Sequence, residues 1–443
     1  MSTLAKIKAE EMTLTPEFER ALDLLENTKQ NVFISGKAGT GKSTFLEYFR
    51  KNTKKNVAVV APTGVAALNV RGQTIHSFFG IRTGLIDVGT LKPSRNKKLL
   101  GNIDLLIIDE ISMVRADLFD AVEKTLRANN DKSMPFGGVQ VCVIGDLFQL
   151  PPVLTNDEKD AYNLVYTSPF FFASPNYMAA DFELIKFDTV FRQKDSEFVQ
   201  TLNKIRIGRK TPDILSYINK RHTAEFDFEQ TPITLASTNK IADELNVQEL
   251  KSLAGKAHKF KGELAGRFSV ERGRLPSPEK LELKIGAQVM FTRNDNVKKR
   301  WVNGTIGTVT YVDEENIEVT ILRAGGKKRS YALEQEKWVT YEYVFNDETD
   351  KLEQKEIGSY TQYPLMLAWA VTIHKSQGKT LENVIIDLGN GAFAPGQVYV
   401  ALSRCKSYEN LVLKKPIRAR DIWCDRSILD FARTITASNA SQG

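Results

Sequence analysis

A glycine-rich loop at residues 36–43 constrains this chain more than any other feature. It reads G-K-A-G-T-G-K-S, follows an apolar run and precedes a helical pattern. The loop matches every fixed position of the Walker A motif, in which backbone N–H groups converge on an oligophosphate. We expect Lys42 to neutralise the β- and γ-phosphates and the Ser43 hydroxyl to hold Mg²⁺. The sequence therefore predicts a nucleoside triphosphate site formed by Gly36, Ala38, Gly39, Thr40, Gly41, Lys42, Ser43 and Thr44.

Length and composition indicate a multidomain protein without a membrane span. At 443 residues the chain exceeds what one hydrophobic core supports, so we expect two to four domains. No apolar run approaches the roughly 18 residues of a membrane helix, and no charged-then-apolar leader opens the sequence. The 3 cysteines lack C-x-x-C spacing, which argues against a disulfide framework and a zinc site. We expect a cytoplasmic, nucleoid-associated protein.

The charge balance is weak evidence for a polyanionic partner. The chain has 61 basic and 54 acidic residues, a net charge of +7. Spread over this length, such an excess permits nucleic-acid binding without requiring it. Composition alone therefore leaves the partner open.

The pattern of apolar runs predicts an α/β fold class. The runs are continuous rather than alternating, which is typical of parallel strands covered by helices on both faces. They lie at 32–35, 56–61, 104–109 and 139–145. Ligands of such doubly wound sheets bind at the carboxyl ends of the strands.

A second α/β series is split by a segment of different texture. Its expected strands are 233–236, 384–387 and 411–413. Between its parts, period-two strands joined by short polar turns predict a small antiparallel barrel, to which we assign both 308–322 and 338–357. We therefore interpret residues 256–361 as an insertion in a second α/β domain.

The apolar run 104–108 ends in Asp109 and Glu110, the Walker B pattern. One carboxylate at such a strand end can hold magnesium, and its neighbour can orient the attacking water. A GTPase would have D-x-x-G here, whereas this chain has D-E-I-S, and it lacks the guanine-reading N-K-x-D. The sequence therefore predicts ATP hydrolysis rather than a GTPase switch.

Three further polar residues are candidates for the γ-phosphate. Gln149, in the segment G-D-L-F-Q-L-P-P-V, is placed to contact both the γ-phosphate and the attacking water. Arg192 and Arg404 stand beside small and apolar residues and are candidate arginine fingers. For either arginine alone, a structural ion pair is the more common role, so both readings stay open.

Small and hydroxyl residues at other strand ends suggest contacts with a polynucleotide. The segments 61–67, 74–79 and 368–380 combine hydroxyl, imidazole and ammonium donors with glycine, which allows a phosphodiester backbone to approach closely. Phe78 and Phe79 could stack on bases, although we expect at least one of them to lie in the core. With 4 histidines and no metal-ligand spacing, His374 is better interpreted as a hydrogen-bonding residue.

The order of these motifs along the chain resembles that of superfamily 1B, RecD-like DNA helicases, and most of all the Pif family. The series is GKAGTGKST, APTGVAAL, TIHSFF, IIDEISM, GDLFQLPPV, FRQ, AWAVTIHKSQGKT and YVALSR, and it spans roughly residues 14–415. The segment 117–136 is similar to that family's own marker region. The combination is far more specific than any single motif.

The resemblance implies an architecture and an activity. It implies two RecA-like P-loop domains, 1A at 1–190 and 2A at 191–255 and 362–443. An SH3-like 2B insertion would occupy 256–361, and a short 1B wedge about 81–100. The activity would be ATP- and Mg²⁺-dependent 5′-to-3′ unwinding in genome maintenance, on single-stranded DNA, tailed or forked duplexes, and G-quadruplexes or RNA–DNA hybrids. We expect a monomer.

The resemblance also assigns roles to residues. The catalytic set would be Lys42, Asp109, Glu110, Gln149, Arg192 and Arg404, with Ser43 and Asp109 on the metal and Gly378 beside the nucleotide. Single-stranded DNA would contact Pro62, Thr63, Gly64, Val65, Thr74, His76, Ser77, Phe78, Thr238, Asn239, Thr372, His374 and Lys375.

One position departs from the family pattern. The family usually has an adenine-reading glutamine where this chain has Phe18. A ring stacking there would predict looser base choice.

Two alternatives of different class also remain: a P-loop small-molecule kinase, and a DNA-stimulated ATPase that remodels protein–DNA complexes without unwinding.

Overall fold

Six parallel strands form the first sheet. The computed structural model describes residues 15–440 except 92, 93, 95, 190–194, 223–231, 269–274, 296 and 324–325. Its first elements are α1 (Pro16–Asn27), β1 (Asn31–Gly36), α2 (Lys42–Asn52), β2 (Val57–Ala61), α3 (Gly64–Asn69), β3 (Gln73–Thr74), α4 (Ile75–Phe79), α5 (Lys97–Gly101), β4 (Leu105–Ile108), α6 (Ala116–Asn129), β5 (Gln140–Gly145), α7 (Asn156–Asn163), α8 (Pro175–Ala179) and β6 (Phe182–Phe187). The strand order is β3-β2-β4-β5-β1-β6, with every pair parallel. We call these elements the first unit.

The first sheet buries both of its faces, as the continuous apolar runs predict. Along β1, Phe33 joins the apolar cluster on one face, whereas Val32 and Ile34 join the cluster on the other. The four predicted runs are confirmed as β1, β2, β4 and β5. The sixth strand, β6, carries Glu183 and Lys186 at the sheet edge and so lacks a continuous apolar run.

The chain then begins a second sheet and leaves it for an antiparallel region. The elements are α9 (Ser196–Arg206), α10 (Pro212–Asn219), β7 (Ile233–Ala236), α11 (Asn239–Ser252), β8 (His258–Lys261), β9 (Glu263–Gly266), β10 (Lys280–Leu283), β11 (Gln288–Phe291), β12 (Ile306–Val312), β13 (Ile317–Leu322), β14 (Lys328–Leu333), β15 (Glu336–Asn346), β16 (Lys351–Gln362) and β17 (Leu365–Leu367). The return to the second sheet gives β18 (Ala370–Thr372), β19 (Val384–Asp387), α12 (Gln397–Leu402), β20 (Leu411–Leu413) and α13 (Arg426–Ala440).

The second sheet is parallel and has the order β18-β7-β19-β20. The three strands predicted for it are confirmed, and β18 was missed because it has only 3 residues before a run of turns. We call the second sheet with α9–α12 the second unit. Among the described residues, no helix has the length and apolarity needed to cross a bilayer.

The antiparallel region differs from the single predicted barrel. Strands β14-β13-β12-β11-β17 form one sheet, β15-β16-β9 another, and β10-β8 a third. The long β15–β16 hairpin is therefore not part of the sheet that contains β12 and β13. Strand β17 also pairs with β11, so this region extends past the predicted boundary at 361. The division into domains 1A, 1B, 2A and 2B itself stays a prediction.

The predicted wedge, about 81–100, lies against α6. Within it, the Ile86 N–H donates to Oδ2 of Asp117 at 3.1 Å, and Lys124 Nζ donates to the Gly89 carbonyl at 3.2 Å. Lys92, Pro93 and Arg95, near its centre, lie outside the described residues. A role in splitting a duplex stays a prediction.

Phe18 lies in the core rather than beside a base. Thr15 Oγ1 accepts from the Phe18 N–H at 3.4 Å and so caps the start of α1. The Phe18 ring is 2% exposed, with its centroid 4.3 Å from that of Phe187 and 5.5 Å from that of Phe45. In this structure the Phe18 ring is therefore not available to stack on a nucleotide base, and the looser base choice that such stacking would imply loses its support.

The last helix crosses back to the first unit. Its Phe431 ring stacks on Phe172 at 4.1 Å with an angle of 7° between the planes, and Ile428 joins the same apolar cluster. An amphipathic helix packs its apolar face against another apolar surface. The aromatic-rich surface of the first unit around Phe172 is that surface for α13. Helix α13 therefore packs on the first unit, and its assignment to domain 2A stays a prediction.

The β15–β16 hairpin also packs on the first unit. Tyr343 is 4% exposed and belongs to that unit's apolar cluster. Its hydroxyl accepts from the Val59 N–H at 3.1 Å, and its own N–H donates to Gln73 Oε1 at 3.2 Å. Its ring meets Phe78 edge-on at 5.6 Å. The hairpin is thus fixed to the edge of the first sheet that carries β2 and β3.

We predict that Tyr343→Ala destabilises the protein by about 3–5 kcal/mol, because a buried aromatic ring is replaced by a cavity. The urea midpoint of unfolding measures this change. The matched control is Tyr341→Ala, two residues along the same strand and only partly buried, which should cost less than about 1 kcal/mol. Equal losses in the two variants would contradict the assigned packing.

Candidate nucleotide cleft and DNA-binding edge

The sheet order brings the predicted nucleotide motifs together. Strands β4, β5 and β1 are neighbours in one parallel sheet, so their carboxyl ends lie at one edge. The phosphate loop follows β1, Asp109 and Glu110 follow β4, and Asp146 and Gln149 follow β5. The structure therefore places all of the described first-unit candidates for phosphate chemistry in one cleft.

The phosphate loop has the backbone that its glycines allow. Gly39 and Gly41 have φ of +82° and +84°, in the left-handed region that glycine favours. A Cβ on Gly36 would lie 2.4 Å from Thr40 Oγ1, so only glycine fits there. The Lys42 ammonium donates to the Gly36 carbonyl at 2.7 Å and the Lys37 carbonyl at 2.9 Å. Helix α2 begins at Lys42 and directs its amino end at the cleft.

The two Walker B carboxylates lie in surroundings that oppose their charge. Burial, together with the neighbouring Glu110 carboxylate, raises the pKa of Asp109 to about 7. Burial also raises the pKa of Glu110, against the opposing effect of Lys42 and Arg404. Glu110 has φ of +52°, a strained conformation for a residue with a side chain. Such strain, which costs on the order of 1–3 kcal/mol, persists mainly at functional sites.

A magnesium ion fits this pair with Ser43. No group of three or more His, Cys, Asp or Glu in the described part of the chain forms a metal cluster. A Mg²⁺ at a phosphate loop takes most ligands from phosphates and water, so one hydroxyl and one carboxylate suffice. A cation beside Asp109 would stabilise the charged carboxylate and so oppose the burial and the Glu110 repulsion that raise the pKa of Asp109.

Asp146 connects the two units across the cleft. Arg206, on α9, donates to Asp146 Oδ1 from Nε at 3.1 Å and from Nη2 at 2.7 Å. The guanidinium carbon of Arg206 lies 3.9 Å from the centroid of the Phe148 ring. Burial opposes the charge of Asp146, yet Arg206 and Lys42 hold its pKa below the usual range.

Tyr399 makes a second connection. Its hydroxyl donates to Asp146 Oδ2 at 3.1 Å and accepts from the Ala38 N–H at 3.3 Å. The Ala38 N–H belongs to the loop expected to bind phosphate. A side chain of the second unit therefore occupies a phosphate-loop donor in this structure.

Gln377 makes a third connection, to the residues expected to handle the attacking water. Its Nε2 donates to Gln149 Oε1 at 3.0 Å and to Glu110 Oε2 at 3.3 Å. The neighbouring Gly378, with φ of +78°, faces open space. The carboxamide thus joins the turn after β18 to the Walker B strand end.

Arg404 is buried without an acidic partner. Its Nε donates to the Val400 carbonyl at 3.0 Å and its Nη2 to Ser403 Oγ at 2.9 Å. Across the described residues, no carboxylate oxygen lies within 4 Å of its guanidinium. Burial lowers the pKa of Arg404, and the nearby Tyr399, Glu110 and Asp146 partly offset this lowering. Among the described residues Arg404 forms no ion pair, and its role as an arginine finger stays a prediction. Arg192 lies outside the described residues.

The predicted DNA contacts lie at the carboxyl ends of β2, β3, β7 and β18. Thr63, Thr74 and Thr238 each cap the helix that follows, accepting from a backbone N–H at 3.2, 3.2 and 3.4 Å. Strands β3 and β2 are the edge of the first sheet, and β18 and β7 the edge of the second. Pro62, Gly64, Val65, His76 and Ser77 lie with the first edge, and Asn239, Thr372, His374 and Lys375 with the second. A contact of any of them with DNA stays a prediction.

Phe78 is not an exposed stacking surface. It is 4% exposed and Phe79 is 5% exposed, so both rings are core. The β15–β16 hairpin covers Phe78 through Tyr343. Our prediction of an accessible Phe78 ring is wrong in this conformation. His374 and Lys375 are exposed, and the His374 ring lies parallel to Phe393 at 6.4 Å.

Sequence reasoning missed the residues that bridge the cleft. Asp146, Gln377 and Tyr399 stand inside the motifs that were recognised, but neither charge nor spacing indicates that they meet. Arg206 lies in a basic stretch that resembles a solvated loop. A signal was present in the apolar neighbours of Tyr399 along α12, Val398 and Val400, because a buried phenol needs a hydrogen-bond partner.

Comparison with protein families gives three matches along the chain. Residues 14–213 match the family described as PIF1-like helicase. Residues 270–312 match the 2B domain of DNA helicase Pif1, and residues 342–431 match a further helicase family.

Known relatives resemble the chain over most of its length. The ATP-dependent DNA helicase Pif1 of Bdellovibrio bacteriovorus is 34% identical over 418 residues, covering 91% of this chain and 88% of the relative. The chain spans about three fifths of the length of several eukaryotic relatives.

Solved structures of a Bacteroides Pif1 are similar in fold. The unliganded form has a TM-score of 0.85 at 37% identity, covering 96% of this chain and 98% of the other. The form bound to single-stranded DNA has a TM-score of 0.70 at 36% identity, covering 97% and 98%. At nearly equal identity, the present arrangement is closer to the unliganded one. By its sequence and its fold, the chain belongs to the PIF1-like helicase family.

Proposed function

We propose that this protein is an ATP-dependent DNA helicase that moves 5′ to 3′ along single-stranded DNA and unwinds the duplex ahead. The observation that carries the proposal is the turn after β18. It exposes His374 and Lys375, while Gln377 in the same turn bonds to Glu110 of the first unit. A polynucleotide contact and the hydrolytic site therefore share one structural element.

The cleft supports hydrolysis of ATP. The phosphate loop binds the phosphates and Lys42 neutralises their charge. Ser43 and Asp109 would hold Mg²⁺, which would supply further charge neutralisation at the phosphoryl oxygens. Glu110 accepts a hydrogen bond from the attacking water, since its raised pKa brings its basicity nearer to neutral pH. Gln149 orients the same water, and Arg404, with Arg192, stabilises the charge of the transition state.

Binding of ATP changes the contacts between the units. The triphosphate competes with the Tyr399 hydroxyl for the Ala38 N–H, which Tyr399 now holds at 3.3 Å. An anion shared by the phosphate loop and Arg404 favours closure, and hydrolysis removes that shared ligand. Alternating closure of two DNA-binding edges converts turnover into movement.

The substrate range extends this proposal. We assign to this protein single-stranded DNA, tailed or forked duplexes, G-quadruplexes and RNA–DNA hybrids, acted on by a monomer in the bacterial or phage-infected cytoplasm. The net charge of +7 favours such polyanions. The strand-end residues of β2, β3, β7 and β18 form the DNA track, and the 81–100 segment splits the duplex.

We predict that Lys42→Ala lowers the ATPase rate on the order of 10²-fold or more and leaves affinity for single-stranded DNA nearly unchanged, because the DNA edge is separate from the phosphate loop. Steady-state ATPase and fluorescence anisotropy measure the two properties. Lys51→Ala is the control, since Lys51 lies on the same helix and pairs with Glu47 at the surface. Loss of both properties in Lys42→Ala would contradict the separation.

We predict that Arg404→Ala lowers kcat on the order of 10³-fold, the effect of removing an arginine finger. Binding of a fluorescent ATP analogue should weaken far less, because the finger acts on charge formed in the transition state. Arg420→Ala, at an exposed position of the same unit, is the control. A kcat within about tenfold of wild type would exclude the finger role.

We predict unwinding of a duplex with a 5′ single-stranded tail and not of one with a 3′ tail, measured by strand displacement with ATP. Equal unwinding of both substrates would refute the direction. ATPase stimulated by DNA without any displacement would instead indicate a remodelling ATPase, and an ATPase indifferent to DNA would favour a small-molecule kinase.

A further inference from the structure

Gln377 uses one amide group to occupy two oxygens of the hydrolytic site. Its Nε2 is 3.0 Å from Gln149 Oε1 and 3.3 Å from Glu110 Oε2. An amide NH₂ has two hydrogens, so both are engaged. Both acceptors belong to the first unit, whereas Gln377 belongs to the second.

Those two oxygens are the ones that the attacking water requires. A water that attacks a phosphoryl group donates its hydrogens to a carboxylate and to an orienting amide oxygen. While Gln377 donates to both, one lone pair of each oxygen is engaged. The carboxamide therefore competes with the attacking water for Glu110 and Gln149.

The same turn carries the exposed cationic end of the candidate DNA edge. Ser376 N–H donates to the Thr372 carbonyl at 3.0 Å, Gln377 N–H to the His374 carbonyl at 3.1 Å, and Lys379 N–H to the Ser376 carbonyl at 3.0 Å. Ser376 is fully buried, and its hydroxyl donates to the Ile373 carbonyl at 2.7 Å. These bonds make 372–379 a single body, so a displacement of Lys375 displaces Gln377.

We propose that Gln377 is a positioning residue that restrains hydrolysis until DNA binds. A phosphodiester held by His374 and Lys375 moves the turn, withdraws the carboxamide, and frees Glu110 and Gln149 for the water. This inference rests on the proposed function, because it requires that the exposed side of the turn contacts DNA.

Joining the two units does not require Gln377. Arg206 holds Asp146 with two hydrogen bonds, and Tyr399 links Asp146 to the Ala38 N–H. Removing the carboxamide therefore leaves the cleft connected. What it removes is the restraint on the two water-binding oxygens.

The test is the ATPase rate without DNA and with saturating oligo(dT), for the wild type and for Gln377→Met, which keeps the side-chain length and lacks the donor. The DNA-free kcat should rise on the order of tenfold, the value of one hydrogen bond to a charged group. The DNA-saturated kcat and the KM for ATP should stay within about twofold. The stimulation ratio should fall by the same factor.

Gln377→Ala provides a second variant, and Gln30→Ala is the control, because Gln30 donates to the Asp181 carbonyl within the first unit. Thermal unfolding confirms that each variant folds. A merely structural role would lower both rates and leave their ratio unchanged, which would overturn the proposal, as would an unaltered ratio at wild-type rates. A wild type that DNA does not stimulate would instead refute the proposed function.

Discussion

The buried carboxylate of Asp146 is the point at which the two parallel sheets are held together. A carboxylate surrounded by protein is costly unless cations and donors satisfy it, and here the second unit supplies both through Arg206 and Tyr399. The second unit therefore cannot turn away without breaking the three hydrogen bonds that Arg206 and Tyr399 donate to that carboxylate. Everything else in the cleft, including the contact of Gln377 with Glu110, depends on this closeness. Because Asp146 follows β5 directly, any movement of the second unit is transmitted to the strand that also positions Gln149.

The β15–β16 hairpin imposes a second constraint, on the DNA-binding edge. It covers Phe78, and its Tyr343 accepts a hydrogen bond from the Val59 N–H of β2 and donates one to Gln73 Oε1 of β3. The same edge of the sheet carries Thr63 and Thr74, which are candidates for DNA contact. The arrangement resembles the unliganded Bacteroides structure more than the DNA-bound one. An aromatic edge covered by protein in one arrangement is available to bases only in another, so access to DNA and the position of the hairpin are physically linked.

The sequence predicts the parallel sheets and the phosphate site well because both depend on local patterns. Continuous apolar runs indicate β1, β2, β4 and β5, and the spaced glycines indicate the phosphate loop, where Gly39 and Gly41 have positive φ. The failures concern contacts between distant segments. The burial of Phe18 against Phe187 and the packing of α13 on the first unit were not predicted, because both depend on which distant segments pack together. The hairpin was assigned to the barrel for the same reason: alternation predicts strands, whereas pairing of β16 with β9 is set by long-range packing. Tyr399 and Gln377 are invisible as bridges until two units are docked.

Two arginines of the second unit, Arg206 and Arg404, have different electrostatic roles in the cleft. Arg206 forms an ion pair with Asp146, and the Phe148 ring lies against its guanidinium group. The charge of Arg206 is therefore neutralised before any nucleotide binds. Among the residues that the structure describes, Arg404 donates to uncharged oxygens of Val400, Ser403 and Lys379. An uncompensated buried cation is costly, and a triphosphate is the anion that would remove that cost. If Arg404 formed the ion pair instead of Arg206, Asp146 would lie beside Arg404 and would compete there with the γ-phosphate. Because Asp146 pairs with Arg206, Arg404 stays available for the substrate. The cleft can therefore be held closed and still attract ATP.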